Sequence, residues 1–399
     1  DTEILDDLQD SDDRRVSFIY RAIEILQIKL SALGSTLECR HGPPEKVFDQ
    51  LFNEYNVGAV FCNHDYEPYA IQRDARINQL AEQHQAQFLS FKDHVIFERL
   101  EVSKSDGTAY TVYTPYSRKW KENVRAVDYQ AYPTEKFFSG FLQQAIIPIP
   151  SIESMGFTPN MSLLPPADPA FKLIEQYNLN RDYPGREGTS RLGVHLRFGT
   201  VSIREVIRSY GHLNPTFLNE LIWREFYQQI LANFPSVGEG KSFKPAYDKI
   251  VWRNDEEEFN AWCNGQTGFP IVDAGIRELN ATGFMHNRVR MIVASFLAKD
   301  LLIDWRWGEA YFARKLLDFD FASNNGGWQW ASGSGCDAAP YFRIFNPHLQ
   351  TIKFDKKFEY IRKWVPEFEE TGYSRPIVDH AFARSRCLEV FGNALRQFT

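Results

Sequence analysis

The 399-residue sequence contains no apolar run that approaches the ~18 residues of a membrane-spanning helix, so a membrane protein is not expected. Its five cysteines, at positions 39, 62, 263, 336 and 387, are scattered and form no Cys-x-x-Cys pair. This pattern argues against a disulfide framework or a zinc site and predicts a reducing, cytoplasmic environment. None of the nine histidines lies in a metal-ligand motif, and the acidic opening DTEILDDLQDSDD does not resemble a signal peptide.

Negative charge is concentrated near the amino terminus. Of the 45 basic and 52 acidic residues, 15 and 22 lie within residues 1–130, so the rest of the chain holds 30 of each. A neutral carboxy-terminal part can still carry a basic groove, because local clustering rather than net charge decides where phosphate groups bind.

Helical and strand-like patterns alternate over residues 1–120. Helices are predicted over Arg14–Leu33, from Pro43, and over about Glu67–His84, and strands over TLECR (36–40) and Val57–Cys62. This alternation predicts an α/β domain with a parallel sheet. Prolines punctuate residues 121–170, which we interpret as a linker, and the pattern from residue 171 to residue 399 is helical.

The segment Asp318–Trp330, DFDFASNNGGWQW, combines two carboxylates, two amides, a Gly-Gly pair and two tryptophans. Asn-Asn-Gly-Gly is typical of a turn, because both residue types tolerate positive φ. The carboxylates have apolar neighbours and therefore need partners. A flat, hydrogen-bonding heterocycle and nearby arginines would supply them. The alternative is a buried helix–turn–helix corner with structural ion pairs.

Two predicted helices carry polar residues on one face. In Thr216–Leu231 these are Glu220, Trp223, Arg224 and Tyr227, at a spacing that suits a pocket for a flat, polar substrate. The alternative is a surface Glu220–Arg224 pair beside a packed tryptophan. In the helix over residues 285–300 the shared face carries Asn287, Arg290, Met291 and Ala294, and we predict that Arg290 pairs with Asp318.

The segment GREGTSRLG places Thr189 and Ser190 where helix N-caps are expected, ahead of a helix containing Val194 and Leu196. Such a helix start can bind a phosphate group. The alternative is an ordinary capped helix without a ligand.

Taken together, these segments resemble the photolyase/cryptochrome family, and within it the class I cyclobutane pyrimidine dimer photolyases. The matching stretches are MHNRVRMIVASFLAKDLLIDWRWGEAYF and DFDFASNNGGWQWASGSGCDAAPYFRIFNP, with TSRLG and NELIWREFY upstream. The resemblance is weak before about residue 170 and very specific after it.

The resemblance implies a Rossmann-like α/β antenna domain over residues 1–120, a linker over 121–170 and a large all-α, flavin-binding catalytic domain over 171–399. The first strands of the antenna domain are expected to be missing, so the chain is expected to be incomplete at its amino terminus. Tyr69 and Ala70 stand where folate-binding relatives carry a polar pair, so a folate antenna is doubtful, and a deazaflavin or flavin antenna stays open.

The implied activity is light-driven repair of cyclobutane pyrimidine dimers in ultraviolet-damaged DNA, by electron transfer from photoexcited reduced FAD to a flipped-out dimer. We expect a monomer without a metal. The implied FAD-binding residues are Tyr177, Thr189, Ser190, Arg191, Leu192, Gly193, Glu220, Arg224, Asn287, Arg290, Asp318, Phe319, Asp320 and Asn324. The implied catalytic residues are Glu220, Asn324 and an electron relay formed by Trp252, Trp305 and Trp328. The dimer would be bound by Trp223, Trp330, Met291 and Asn287, and the DNA by Arg181, Arg288, Arg343 and Gln350.

Three other interpretations stay open. A cryptochrome photoreceptor would share the flavin site, but Asn324 at the position facing flavin N5 and Trp330 in place of tyrosine speak against it. A (6-4) photoproduct photolyase should carry histidine in the pocket near Met291, which this chain does not. A non-catalytic helical scaffold would need no flavin.

Overall fold

The computed structural model describes residues 1–160 and 164–396, and residues 161–163 of the predicted linker lie outside these ranges. In chain order, the α-helices and β-strands are α1 (Thr2–Leu5), α2 (Arg14–Ser31), α3 (Pro44–Glu54), β1 (Ala59–Asn63), α4 (Pro68–Gln83), β2 (Gln87–Phe91), α5 (Tyr113–Asn123), α6 (Phe171–Glu175), α7 (Tyr177–Asn180), α8 (Gly193–Arg197), α9 (Ile203–Tyr210), α10 (Pro215–Asn233), α11 (Glu256–Cys263), α12 (Pro270–Thr282), α13 (Asn287–Ser295), α14 (Trp305–Lys315), α15 (Phe321–Ser332), α16 (Pro347–Phe354), α17 (Glu359–Trp364) and α18 (His380–Arg396). One turn of π-helix, called the π turn below, spans Phe296–Asp300 and follows α13.

The chain forms two compact units, and each is assembled from more than one stretch of sequence. The first unit comprises residues 1–96, 125–167 and 192–208, and the second comprises residues 97–124, 168–191 and 209–399. The predicted division into 1–120, 121–170 and 171–399 stays a prediction. None of the helices within the described ranges combines the length and apolar character needed to span a bilayer.

The first unit contains a two-stranded parallel sheet. Strands β1 and β2 pair in register from Ala59 opposite Gln87 to Asn63 opposite Phe91, and α4 connects them. The prediction of α/β structure with parallel strands is therefore confirmed.

The strand predicted over residues 36–40 is wrong, because only β1 and β2 pair as a sheet in the described part of the chain. The backbone here is bound by a side chain instead of a neighbouring strand. Gln27 Oε1 accepts a hydrogen bond from the Leu37 amide at 2.5 Å, and its Nε2 donates to Thr36 Oγ1 at 2.9 Å. A side chain that satisfies backbone groups in this way competes directly with strand pairing.

The second unit is helical and holds a large apolar core. Helices α12 to α15 and α17 supply most of it, and the largest core side chains, each at most 2% exposed, are Trp262, Trp305, Trp328, Phe296, Phe312 and Tyr360. Long helices with wide apolar faces stabilise one another by burying these faces, so the predicted all-α character of this part is confirmed.

Helix α15 runs straight through the Asn-Asn-Gly-Gly segment, so the turn predicted there is wrong. Asp320 caps the helix, since its Oδ1 accepts a hydrogen bond from the Ser323 amide at 2.8 Å. Neither Gly326 nor Gly327 has a positive φ. A Cβ atom at Gly326 would instead collide with the ring of Tyr227 on α10, so glycine is needed for the close approach of two helices.

Candidate functional site

The second unit contains a cavity of about 410 Å³, a size within the usual range of small-molecule sites. Helices α10, α13 and α15 supply most of its wall. Fifteen of the residues singled out in the sequence line this cavity, and they are Arg181, Glu220, Trp223, Arg224, Tyr227, Asn287, Arg288, Arg290, Met291, Ala294, Asp318, Asp320, Asn324, Trp328 and Trp330.

Helix α10 presents the predicted polar and aromatic face. The helix begins after Asn214, whose Oδ1 accepts a hydrogen bond from the Thr216 amide at 2.9 Å. Glu220 forms an ion pair with Arg181, which lies outside this helix, so its partner is not the intrahelical one considered above. Burial raises the pKa of Glu220, and the positive charge of Arg181 opposes that shift.

Two tryptophan rings give the cavity flat apolar walls. Trp223 is stacked on Tyr113 of α5 with ring centroids 3.6 Å apart and an interplanar angle of 6°. The Tyr113 hydroxyl donates to the Asn219 carbonyl at 2.8 Å, which fixes this ring behind the tryptophan. Trp330 also lines the cavity, and its ring centroid lies 6.4 Å from that of Phe345. Such rings can stack on a planar ligand.

The ion pair between Arg290 and Asp318 is confirmed. Arg290 Nη2 lies 2.9 Å from both carboxylate oxygens, and Arg290 Nε donates to the Met285 carbonyl at 2.7 Å. Helix α13 begins after His286, whose Nδ1 accepts from the Arg288 amide at 3.1 Å. The guanidinium is thus held by a carboxylate and a backbone carbonyl on the cavity wall.

Helix α15 brings Asn324 into the cavity wall and binds it to a residue that sequence reasoning missed. Asn324 Nδ2 donates to both the backbone oxygen and Oε1 of Glu309, each at 3.1 Å. Burial raises the pKa of Glu309 to about 7, although the hydrogen bond from Asn324 opposes the shift. The two residues are 15 positions apart, on α14 and α15, so no local pattern could have revealed the contact.

Four other cavity residues were not predicted as site residues, namely Phe312, Leu316, Ser323 and Gly327. The sequence did contain a pattern that could have identified Ser323 and Gly327. Reading residues 321–332 as a helix would have placed Ser323 and Gly327 on one face with Asp320, at spacings of three, four and seven.

Eleven of the predicted site residues do not line the cavity, and they are Tyr177, Thr189, Ser190, Arg191, Leu192, Gly193, Trp252, Trp305, Phe319, Arg343 and Gln350. Their roles stay predictions. The predicted cap at Thr189 or Ser190 is wrong, because α8 begins only at Gly193 and Leu192, which makes no side-chain cap, precedes it. Leu192 and Gly193 belong to the first unit.

The three tryptophans of the predicted relay differ in their surroundings. Trp328 lines the cavity, and its ring centroid lies 5.0 Å from that of Phe312 and 6.2 Å from that of Trp262. Trp305 is buried and Trp252 is partly buried. Within the described ranges no ring contact joins these three to one another, so the relay stays a prediction.

The exposed side chain of Arg343 extends from a segment whose backbone is anchored. Lys299, in the π turn, is 1% exposed and donates from Nζ to the Arg343 carbonyl at 3.0 Å. Burial lowers the pKa of Lys299 to about 8. This buried cation fixes the loop that presents Arg343 and was not recognised from the sequence.

Two buried N–H groups on the cavity wall have no hydrogen-bond partner within the described part of the chain, namely Arg288 Nε and Trp328 Nε1. Buried donors are normally paired, so these point to a polar ligand. A Cβ atom at Gly327, which also lines the cavity, would meet no atom within 4 Å. Fold and cavity together define a helical protein with a cavity that suits a flat, polar ligand. Among the described residues, no group of three acidic, histidine or cysteine side chains is arranged to hold a metal ion.

Comparisons with known proteins identify the family to which this helical protein belongs. Residues 3–136 match the family model described as DNA photolyase, and residues 217–372 match the FAD binding domain of DNA photolyase. A deoxyribodipyrimidine photo-lyase of Halobacterium salinarum is 36% identical over 424 residues, which cover 95% of this chain and 88% of the relative. The chain belongs to the DNA photolyase family.

Solved structures agree with this assignment. A bacterial class III photolyase from Agrobacterium tumefaciens superposes with a TM-score of 0.85 at 31% identity, covering 98% of this chain and 90% of that one. An archaeal photolyase from Sulfolobus tokodaii, solved with two FAD molecules, gives a TM-score of 0.79 at 32% identity, covering 95% and 88%. The Rossmann-like α/β domain and helical catalytic domain expected from the sequence are the fold of this family.

The cavity residues fit FAD. An isoalloxazine ring needs hydrogen-bond donors and acceptors at its edge, and the cavity offers the Arg290–Asp318 pair and the amide of Asn324. Both donor positions of the Asn324 amide nitrogen are directed to Glu309, so the amide oxygen is the polar atom left for a ligand.

Proposed function

We propose that this protein is a light-driven lyase that splits cyclobutane pyrimidine dimers in DNA, with FAD held in the cavity of the helical unit. One observation carries the proposal. The indoles of Trp223 and Trp330 line the same cavity as the Arg290–Asp318 pair and Asn324, so stacking walls and a polar cofactor site lie side by side.

The cofactor site is assigned to the residues on α13, α15 and the segment before α15. Arg290, Asp318 and Asn324 would hold the flavin, and when bound, reduced FAD supplies upon light absorption the electron that splits the dimer. Phe312, Leu316 and the Trp328 ring form apolar parts of the same wall and would help to exclude water from the flavin. A dry site strengthens every electrostatic contact within it.

The substrate site is assigned to α10 and the end of α15. A dimer can reach this cavity only after it is flipped out of the duplex, which is how enzymes that act on bases, photolyases among them, gain access. Trp223 and Trp330 would stack on the dimer. Because Tyr113 backs Trp223 in a nearly parallel stack, that wall is rigid before the substrate arrives.

Glu220 is assigned to the dimer edge. Its carboxyl group lines the cavity beside Arg181 and would form a hydrogen bond to the edge of a pyrimidine, and burial raises its pKa against the opposing charge of that arginine. Its partner Arg181 supplies positive charge beside that hydrogen bond. Both groups would stabilise negative charge on the dimer after it accepts an electron.

DNA contacts are assigned to Arg181 and Arg288 at the cavity and to Arg343 and Gln350 outside it. Arginines fix the register of a duplex by binding phosphates without reading its sequence. We further propose that the protein acts as a monomer in the cytoplasm and that its light-driven chemistry calls for no metal.

The test is a repair assay with matched variants. An oligonucleotide with one thymine dimer is incubated with flavin-loaded protein under blue light and in the dark, and intact thymines are counted per absorbed photon. Wild-type protein should repair only in the light. Glu220→Ala should lower the yield at unchanged flavin content, whereas Glu220→Gln, which keeps a hydrogen-bonding group beside Arg181, should lower it less. A purified protein that binds no FAD, or one that repairs equally in the dark, would contradict the proposal.

A further inference from the structure

Both arginines at the cavity wall that are assigned to DNA phosphates are already paired with acids. Arg181 pairs with Glu220, and Arg288 Nη2 donates to Asp182 Oδ1 at 2.7 Å. Arg181 Nε lies 3.9 Å from the same Asp182 oxygen. One carboxylate, which does not line the cavity itself, therefore stands between two guanidinium groups that do.

The Arg288 guanidinium is held on three sides. Besides Asp182, it lies 4.4 Å from the centre of the Phe354 ring, and its Nη1 contacts Met291 Sδ at 3.6 Å. Burial acts to raise the pKa of Asp182, but the hydrogen bond and charge of Arg288 outweigh it and lower the pKa, so this carboxylate is ionised at neutral pH. Asp182 is 41% exposed, so it is open to the solvent from which DNA arrives.

We propose that Asp182 is a specificity-determining positioning residue, which holds Arg181 and Arg288 at the cavity so that they reach the phosphates of a duplex opened at a flipped dimer but not those of an intact duplex. This inference rests on the proposed function. To bind a phosphate of an intact duplex outside the cavity, Arg288 would have to give up its hydrogen bond to Asp182.

The proposed specificity depends on competition between Asp182 and DNA phosphates for the Arg288 guanidinium. A phosphate and the Asp182 carboxylate both bind a guanidinium through charge-assisted hydrogen bonds, so a phosphate of non-specific DNA competes with Asp182 for Arg288 Nη2. Lesion-bearing DNA differs, because the flipped dimer stacks on Trp223 and Trp330 and brings its flanking phosphates toward the cavity. Specificity is a difference between two affinities, and weakening the wrong complex raises it as effectively as strengthening the right one.

The experiment measures DNA binding in the dark. Asp182→Asn keeps the shape of the side chain and an acceptor for Arg288 but removes the charge. Dissociation constants are measured for one duplex with and without a single thymine dimer, over a range of salt concentrations. We expect the affinity for undamaged DNA to rise on the order of fivefold, since loss of an exposed pair partner is worth up to ~1 kcal/mol. The affinity for dimer DNA should change less than about twofold.

The salt dependence gives a second readout. If the released arginines bind one further phosphate of the intact duplex, the slope of log affinity against log salt should steepen by about 0.9 for undamaged DNA. Asp182→Glu, which keeps the charge, should retain the wild-type preference for dimer DNA. Glu367→Gln removes one charge from a similarly exposed ion pair, with Arg277, that does not line the cavity, and it should leave the preference unchanged.

Two results would overturn the inference. Equal weakening of both complexes with a shallower salt slope would mean that Asp182 only keeps the arginines folded in place, and unchanged binding would mean that it does not compete with phosphate at all. If wild-type protein itself showed no preference for dimer DNA, the proposed function would fail first, so the two failures are distinguishable.

Discussion

The neighbouring glycines of α15 offer a sharp test of the helix that replaced the predicted turn. Gly326 and Gly327 have the same backbone conformation but face different surroundings. A Cβ at Gly326 would collide with the Tyr227 ring, whereas a Cβ at Gly327 would meet no atom within 4 Å and would enter the cavity. Alanine at each position therefore adds one methyl group to the same helix in two different places.

The magnitudes follow from two opposing effects. Glycine in a helix interior is less favourable than alanine by roughly 0.5–1 kcal/mol, so Gly327→Ala should stabilise the flavin-free protein by about that amount. Gly326→Ala gains the same propensity but forces the Tyr227 ring to move, and overpacking typically costs about 1–3 kcal/mol. The difference between the two variants, about 1–3 kcal/mol, isolates the contact, because propensity and unfolded-chain effects cancel.

Urea unfolding of the flavin-free proteins measures both stabilities, and flavin absorbance after reconstitution measures cofactor occupancy. Gly327→Ala should be the more stable variant and should bind less FAD, because its methyl group enters the ligand space. The double variant Gly326→Ala/Tyr227→Ala should show a favourable interaction energy, since removal of the ring removes the collision. Equal stabilities of the two single variants, or a turn-like preference for glycine at both positions, would refute the helical packing described here.

Two further predictions concern buried carboxyl groups. Asp318→Asn should loosen FAD and lower stability by about 1–3 kcal/mol, because Arg290 loses the charge of a partly buried partner; full flavin occupancy at unchanged stability would contradict this role. Glu309 holds its proton more tightly in the folded state, with a pKa of about 7 against an ordinary 4.5, so its contribution to stability falls as pH rises from 4.5 to 7. The loss should total about 3 kcal/mol, and Glu309→Gln should lack it. Parallel pH profiles of unfolding free energy for wild type and variant would show that folding does not raise the pKa of Glu309.

Much of the candidate site could be predicted because it lies on helices whose faces are regular. The i, i+3, i+4, i+7 spacing from Glu220 to Tyr227 places these side chains together in any α-helix, whatever it packs against. The Arg290–Asp318 pair could be predicted for a similar reason, since two opposite charges in apolar surroundings need one another. These inferences depend on local geometry and on charge, both of which are present in the residue types themselves.

The errors have a common physical cause. Asn-Asn-Gly-Gly has the local preferences of a turn, but Asp320 caps a helix there and Tyr227 requires glycine at its contact, so packing outweighed local preference. Likewise, residues 36–40 have the composition of a strand, yet the Gln27 side chain binds the Leu37 amide and the Thr36 hydroxyl. In both cases a side chain on another helix, Tyr227 on α10 or Gln27 on α2, makes a contact that the local sequence does not contain.

By itself, then, the sequence determined the α/β and helical halves, the polar faces of two helices and the family, because periodicity and residue type act over one or two turns of chain. Only the tertiary structure decided that Glu309 binds Asn324, that Tyr113 supports Trp223, and that Asp182 stands between Arg181 and Arg288. The partners in most of these contacts lie 15 to 110 positions apart, and residue spacing along a helix or strand carries no information at that range.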